Sequence, residues 1–238
     1  MPQPFLSVVI PTFNEEARII GTLSRVIEYL AAKDYQWEIV VADDGSIDHT
    51  TDLVDLEIAK HSNIRVLHLP HRGKGWAVKN GMLAAEGEYR LLCDADLSVP
   101  IEQVERLLPP LGPDADIVFG SRETPTASRI GEPLRRHFMG RAFNWLVALL
   151  AVPGLADTQC GFKCFRAEAA QDLFARLTLD GFAFDVELFH LARKGGLSYS
   201  EVGVDWYYRS QSKVRPFQDA LAMTLDLLKV RWRHRGSR

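Results

Sequence analysis

Short apolar runs alternate along the first half of the chain with segments whose apolar positions recur every three or four residues. Phe5 to Ile10, closed by Pro11, predicts a strand, and Thr12-Phe13-Asn14-Glu15-Glu16 reads as a strand-to-helix turn with capping residues. Ile19, Ile20, Leu23, Val26, Ile27 and Leu30 then share one face of a helix that ends at the polar turn Lys33 to Gln36. Trp37 to Ala42 predicts a second strand, followed by Asp43-Asp44-Gly45-Ser46 and a helix from about Thr50 to Lys60. Ile64 to Leu69 is a third strand, and His71-Arg72-Gly73-Lys74-Gly75 leads into a helix holding Ala77, Val78, Met82 and Leu83. The fourth, around Leu91, Leu92 and Cys93, is apolar enough for the middle of a parallel sheet covered on both faces, and it ends in Asp94-Ala95-Asp96. Ala115 to Gly120, the fifth, ends in Ser121-Arg122. Such βα units give an α/β fold class with a doubly wound, mostly parallel sheet flanked by helices.

The second half reads differently. Glu123 to Glu132 is polar and expected to be mobile, and 134–150 passes from Leu134-Arg135-Arg136 into an aromatic, apolar stretch. That pattern suits either an interfacial helix, with cations toward phosphates and rings in the headgroup boundary, or a core helix with a solvated basic end. Asp157 to Phe165 combines an acid, Gly161 and a short alternating strand, expected at the sheet edge with Asp157 facing a cleft. Phe182 to Leu188 opens a helix for which Asp185 would be the N-cap. Tyr199 to Tyr208 alternates like one strand, Arg209 and Lys213 occupy a loop as phosphate ligands or as solvated charges, and Phe217 to Trp232 is amphipathic with a basic end.

A formal charge of −3 argues against nucleic-acid binding through overall charge. Cys93, Cys160 and Cys164 lack zinc-type spacing and fit a reducing compartment. No secretory leader is evident, and the longest nearly apolar run, Ala142 to Ala156, falls short of the roughly 20 residues a spanning helix needs. Neither G-x-x-x-x-G-K-[ST] nor G-x-G-x-x-G occurs. Acids instead collect at strand ends, where open α/β sheets bind ligands. Asp94 and Asp96 suit a divalent cation that grips a diphosphate, or they are turn formers before a helix at Ile101 to Leu108.

The ordered set Val8-Val9-Ile10-Pro11-Thr12-Phe13-Asn14-Glu15, Asp43-Asp44-Gly45-Ser46, Asp94-Ala95-Asp96 and Gly120-Ser121-Arg122 resembles the family 2 glycosyltransferases. With Asp157 to Lys163, Phe184-Asp185-Val186-Glu187, Arg209 and Ser212-Lys213, it looks like their polyprenyl-phosphate branches, the dolichyl-phosphate glucose and mannose synthases. The resemblance implies a single GT-A domain over 1–238, with a nucleotide-sugar half (1–122) and an acceptor half (123–238) bearing amphipathic membrane-surface helices. Pro11, Glu15, Asp43 and Asp44 would line the nucleoside pocket, and Asp94 and Asp96 would bind the ribose-diphosphate region and Mg2+ or Mn2+. Arg209 and Lys213 would neutralise the donor diphosphate, and Arg122, Arg135 and Arg136 would hold the acceptor phosphate. Asp96, Asp157, Arg209 and Lys213 would carry catalysis. Where mannose synthases place a metal-binding glutamine, this chain has Ser98. The Thr158-to-Lys163 and Phe184-to-Glu187 wording favours UDP-glucose; GDP-mannose and a catalytically silent nucleotide-sugar module are the alternatives. The expected setting is the cytoplasmic face of a membrane, with peripheral contact, a polyprenyl or dolichyl phosphate acceptor, a membrane-anchoring protein partner and no nucleic acid.

Overall fold

The computed structural model describes residues 3–133 and 154–209. The expected interfacial segments 134–150 and 217–232, with Arg135, Arg136 and Lys213, lie outside the described residues. The first half alternates as its pattern requires: β1 (Leu6–Thr12), α1 (Ile19–Ala31), β2 (Trp37–Asp43), α2 (Thr50–Ile58), β3 (Ile64–His68), α3 (Lys74–Ala84), β4 (Tyr89–Cys93) and β5 (Ile117–Ser121). Ile19, Leu23, Val26 and Leu30 are fully buried, so the three- and four-residue spacing of α1 is its core face. Val8, Val9, Leu91 and Leu92 are also fully buried. Alternate residues of one strand enter opposite layers: Val8 and Leu91 join one apolar cluster, and Val9 and Leu92 the other.

Seven strands form the main sheet in the order β3-β2-β1-β4-β7-β5-β8, with β7 at Phe162–Arg166 and β8 at Tyr199–Gly203. The pairs β1–β2, β1–β4, β2–β3 and β5–β8 are parallel, whereas β7 runs antiparallel to both β4 and β5. The expectation that this strand adds at the sheet edge is therefore corrected: it is inserted centrally, and Phe162, Cys164 and Phe165 are buried from both layers. Helices α4 (Ala167–Arg176) and α5 (Phe184–Lys194) follow it.

Three further expectations change. Residues Ile101–Arg106 form a 3-10 helix. The polar stretch 123–132 holds β6 (Ser128–Ile130), which pairs in parallel with β9 (Asp205–Tyr207), so the alternating run expected as one strand is split at Val204 between two sheets. Asp185 lies inside the first turn of α5, whose N-cap is Ala183 without a side-chain cap bond. Its carboxylate is used on Lys163 instead.

Candidate functional site

The carboxyl ends of β1, β2, β4 and β5 point the same way, and each delivers one of the sequence motifs. Asp43 ends β2 in register with Thr12 of β1. It is buried, accepting hydrogen bonds from Thr12 Oγ1 at 3.2 Å and from the Ser46 amide at 2.9 Å. Asp44 is 3% exposed, and both of its oxygens are committed to the loop after β3. Oδ1 accepts from the Arg72 amide and Oδ2 from the Gly73 amide, each at 2.9 Å, with His71 Nδ1 2.8 Å from Oδ2. His71 also stacks on Phe13, with ring centroids 4.1 Å apart. The loops after β1, β2 and β3 are thus tied together. Pro11 is half-buried at the end of β1, and Glu15 pairs with Arg18 at 2.7 Å.

What this loop presents is Lys74, the first residue of α3, whose Nζ lies 2.7 Å from Asp94 Oδ1. Gly73, at φ +132°, makes the turn possible; a Cβ there would also stand 2.6 Å from the Asp180 carbonyl oxygen. Burial alone would lower the Lys74 pKa, but Asp94, Asp185 and Asp96 raise it on balance. Lys74 is therefore a cation at every physiological pH. Its side chain and that of Asp94 are 24% and 31% exposed, so the pair contributes more to geometry than to stability.

Three contacts set the Asp94-to-Ser98 turn. Thr22 Oγ1 of α1 donates to the Ala95 carbonyl at 2.6 Å, the Ser98 amide donates to Asp96 Oδ1 at 2.9 Å, and the Tyr207 amide of β9 donates to the Ser98 carbonyl at 2.7 Å. Gly161 forms the wall opposite. A Cβ on it would stand 1.9 Å from Asp94 Oδ2, so the missing side chain leaves the space that the carboxylate fills. A small cavity lined by Asp94, Ser98, Gly161, Phe162 and Trp206 opens here. A larger one, about 260 Å3, is lined by Tyr89, Leu107, Pro109 and Arg166 at the other end of β4, away from these acids.

Arg122, just past β5, is gripped by Asp157. Asp157 is 0% exposed and accepts from Arg122 Nε at 2.6 Å, Arg122 Nη2 at 2.8 Å and the Arg122 amide at 3.0 Å. Burial would raise the Asp157 pKa, but the Arg122 guanidinium outweighs it and holds the carboxyl at about 2; the same pairing raises the Arg122 pKa. Glu201 of β8 fixes the backbone of this turn by accepting from the Ala156 and Asp157 amides at 3.1 and 2.8 Å. Arg209 is exposed just beyond β9.

Two buried acids of α5 complete the surroundings. Asp185 accepts from Lys163 Nζ at 2.7 Å, and its pKa is raised by burial against the opposing pull of Lys163 and Lys74. Glu187 accepts from the Thr178 and Leu179 amides at 3.0 and 2.8 Å, holding the segment that packs on Gly75. Cys160 and Cys164 are buried, and burial pushes both thiols up to about 12, as befits packing residues.

The structure brings Asp94 and Asp96 onto one turn beside Lys74, and it brings Arg122 to Asp157. It commits Asp44 to the loop rather than leaving its carboxylate open. Sequence reasoning assigned no site role to Lys74, Lys163, Thr22 or Glu201, although Gly73-Lys74-Gly75 resembles part of a phosphate-binding loop. Lys163 carried a signal: it is a lone cation in the apolar run Phe162 to Phe165, where burial demands a partner.

Among the described residues no three His, Cys, Asp or Glu side chains converge as a metal cage. The donor set still fits a divalent cation of the magnesium type, because such ions bind through one or two carboxylates plus substrate phosphates and water. Asp94 and Asp96 would be that pair, and the partly exposed Asp94 carboxylate lies in the notch that Gly161 leaves open.

Residues 7–174 match the family profile "Glycosyl transferase family 2". A dolichyl-phosphate beta-glucosyltransferase of Dictyostelium discoideum is 37% identical, covering 97% of this chain and 75% of that protein. The Homo sapiens protein of the same name is 35% identical, covering 98% and 76%. Among solved structures, glucosyl-3-phosphoglycerate synthase from Mycobacterium tuberculosis, in complex with Mn2+, uridine-diphosphate and glucosyl-3-phosphoglycerate, superposes with a TM-score of 0.66 at 23% identity. It covers 95% of this chain and 78% of that one, a likeness of fold. The chain belongs to glycosyl transferase family 2 and has the GT-A fold.

Proposed function

We propose that this chain is an inverting hexosyltransferase that moves glucose from UDP-glucose onto dolichyl or polyprenyl phosphate, giving a β-linked lipid-phosphate sugar. One observation carries the reading: the Asp94–Asp96 turn sits at the carboxyl end of β4 against Gly161 and Lys74, in a chain matched over nearly all its length by relatives that bear the name dolichyl-phosphate beta-glucosyltransferase.

In this reading Pro11, Glu15 and Asp43 border the nucleoside, and Asp44 acts through the loop it holds. Asp94 and Asp96 would hold Mg2+ or Mn2+, which when bound offsets the charge of the leaving diphosphate. Arg209 and Lys213 would neutralise that diphosphate, and Arg122, Arg135 and Arg136 would hold the acceptor phosphate. Asp157 fixes Arg122 by its Nε and one Nη, so that the other Nη is the group offered to the acceptor. The acceptor phosphate oxygen attacks the anomeric carbon as its bond to UDP breaks on the opposite side, converting an α-linked donor into a β-linked product. The attacking oxygen is already ionised, so no protein base is required, and Asp157, strongly acidic and tied to Arg122, orients rather than abstracts. Bringing two phosphates together is opposed by their charge, and the preorganised cations offset that repulsion.

The nucleotide-sugar half would be 1–122 and the acceptor half 123–238. No helix among the described residues is long and apolar enough to cross a membrane. Peripheral contact with the cytoplasmic face, through the amphipathic segments 134–150 and 217–232, is part of the proposal, as is a membrane-anchoring protein partner.

The test is a donor panel. Purified protein is incubated with Mn2+ or Mg2+, a short polyprenyl phosphate in detergent, and labelled UDP-glucose or GDP-mannose, and lipid-extractable product is counted. Transfer from UDP-glucose is expected. Transfer from GDP-mannose alone would overturn the donor assignment, and no lipid product from any donor would overturn the reaction.

A further inference from the structure

The pair of Lys163 and Asp185 has no part in the reaction as proposed, yet it is the most thoroughly buried lysine–carboxylate contact described. Lys163 is 0% exposed on β7, flanked along the strand by Phe162 and Cys164 and with its Nζ 5.9 Å from the Phe189 ring centroid. Burying an ammonium costs several kcal/mol unless it is fully partnered. Its partners are the Asp185 carboxylate at 2.7 Å and the Cys160 carbonyl, to both of which Nζ donates. The sheet itself does not require a lysine here. Lys163 pairs in register with Leu92 and Phe119, and an apolar side chain would fill the same interior without a desolvation penalty.

What the lysine adds is a fixed end for the loop from Asp157 to Gly161. It clamps the Cys160 carbonyl from within the core, and the next residue, Gly161, is the wall against which Asp94 Oδ2 rests. The other oxygen of Asp94 takes Lys74 at 2.7 Å. Asp94 is thus set between a cation on α3 and a wall whose position depends on β7 and α5. We infer that Lys163, held by Asp185, is a positioning residue for Asp94: it sets the Cys160–Gly161 wall so that the Asp94 carboxylate meets the metal-bound donor diphosphate in a productive orientation. This rests on the proposed role of Asp94 in donor binding.

The experiment measures UDP binding in the presence of Mn2+ by calorimetry, alongside thermal melts and acceptor KM. Three proteins are compared: the parent, the double variant Lys163→Met with Asp185→Leu, and Asp185→Asn. The double variant removes both buried ions together, a change that is often neutral or stabilising. It should melt cooperatively near the parent, bind UDP with Mn2+ about tenfold more weakly, and keep its acceptor KM within roughly twofold. Asp185→Asn leaves an amide oxygen for Lys163 to donate to, and should stay within roughly threefold of the parent. Parent-like affinity in a cooperatively melting double variant overturns the inference, because a merely structural pair would not change donor affinity. If the double variant does not melt cooperatively, a fourth protein, Lys163→Met with Asp185→Asn, decides: about tenfold weaker UDP binding with a cooperative melt supports the clamp, and parent-like affinity overturns it. A parent that binds no UDP with Mn2+ removes the donor reading and this inference with it, a result distinct from a parent that binds and variants that match it.

Discussion

Replacing Asp157 by Asn isolates the contact that fixes Arg122, and its consequence can be worked out with a sign. The carboxyl is fully buried and its pKa is held at about 2, against an ordinary 3.8, by the guanidinium it grips at 2.6 and 2.8 Å. A depressed folded-state pKa gives stability that is present above the unfolded value and is lost as pH falls toward the folded one. At about 1.4 kcal/mol per pH unit, the displacement corresponds to about 2 kcal/mol at neutral pH. By pH 3 the unfolded carboxyl is mostly protonated while the folded one is mostly ionised, so about 1 kcal/mol of this is gone. Asparagine has no such titration. Urea unfolding of both proteins at pH 7, 5, 4 and 3 should therefore show the parent's advantage over Asp157→Asn steady from pH 7 to 5 and then narrowing by about 1 kcal/mol by pH 3. Taking the difference between the two proteins cancels every other carboxylate. An advantage that stays constant down to pH 3 would refute the claim that the Arg122 contact holds this carboxyl ionised.

Three other outcomes follow from the same geometry. Gly161→Ala puts a Cβ 1.9 Å from Asp94 Oδ2, so the carboxylate must rotate away; UDP affinity in Mn2+ should fall about tenfold or more, while the melting temperature moves little, both read on one preparation. Asp44→Ala strips two amides of the loop before Lys74 of a buried acceptor, and urea melts should show about 2–3 kcal/mol of destabilisation together with weaker donor binding. Asp96→Ala, or chelation of the divalent ion from the parent, should abolish lipid-linked product, with activity returning to the chelated parent, but not to the variant, on adding Mn2+; near-normal turnover by Asp96→Ala in saturating Mn2+ would count against the metal assignment.

The site is built so that few charged groups stand alone. Asp94 faces Lys74, Asp157 faces Arg122 and Asp185 faces Lys163, each pair joining different elements of the fold. Such pairing suits a pocket that must receive two phosphate-bearing ligands, because cations held by carboxylates are already oriented when substrate charge arrives. Partial exposure matters too. Lys74 and Asp94 remain accessible, while Lys163 and Asp157 are wholly enclosed, so in the proposed reading the former would meet ligand and the latter would hold geometry.

The local pattern alone determined the α/β alternation of the first half, the core face of α1 and the position of Asp43-Asp44 and Asp94-Ala95-Asp96 at the carboxyl ends of β2 and β4. The reason is that parallel strands covered on both faces read as uninterrupted apolar runs, so the first polar residues after each run mark where the chain leaves the sheet for the ligand end. Tertiary structure decided the rest. The run Phe162 to Phe165 has the same apolar pattern whether it lies at an edge or between β4 and β5; only pairing on both sides distinguishes them. The split of 199–208 between two sheets, and β6 within a polar stretch, likewise depend on partners distant in sequence. So do the contacts Thr22 to Ala95, Arg122 to Asp157 and Lys163 to Asp185, 73, 35 and 22 residues apart, since a side chain's spacing fixes its face on an element but not which element lies across from it.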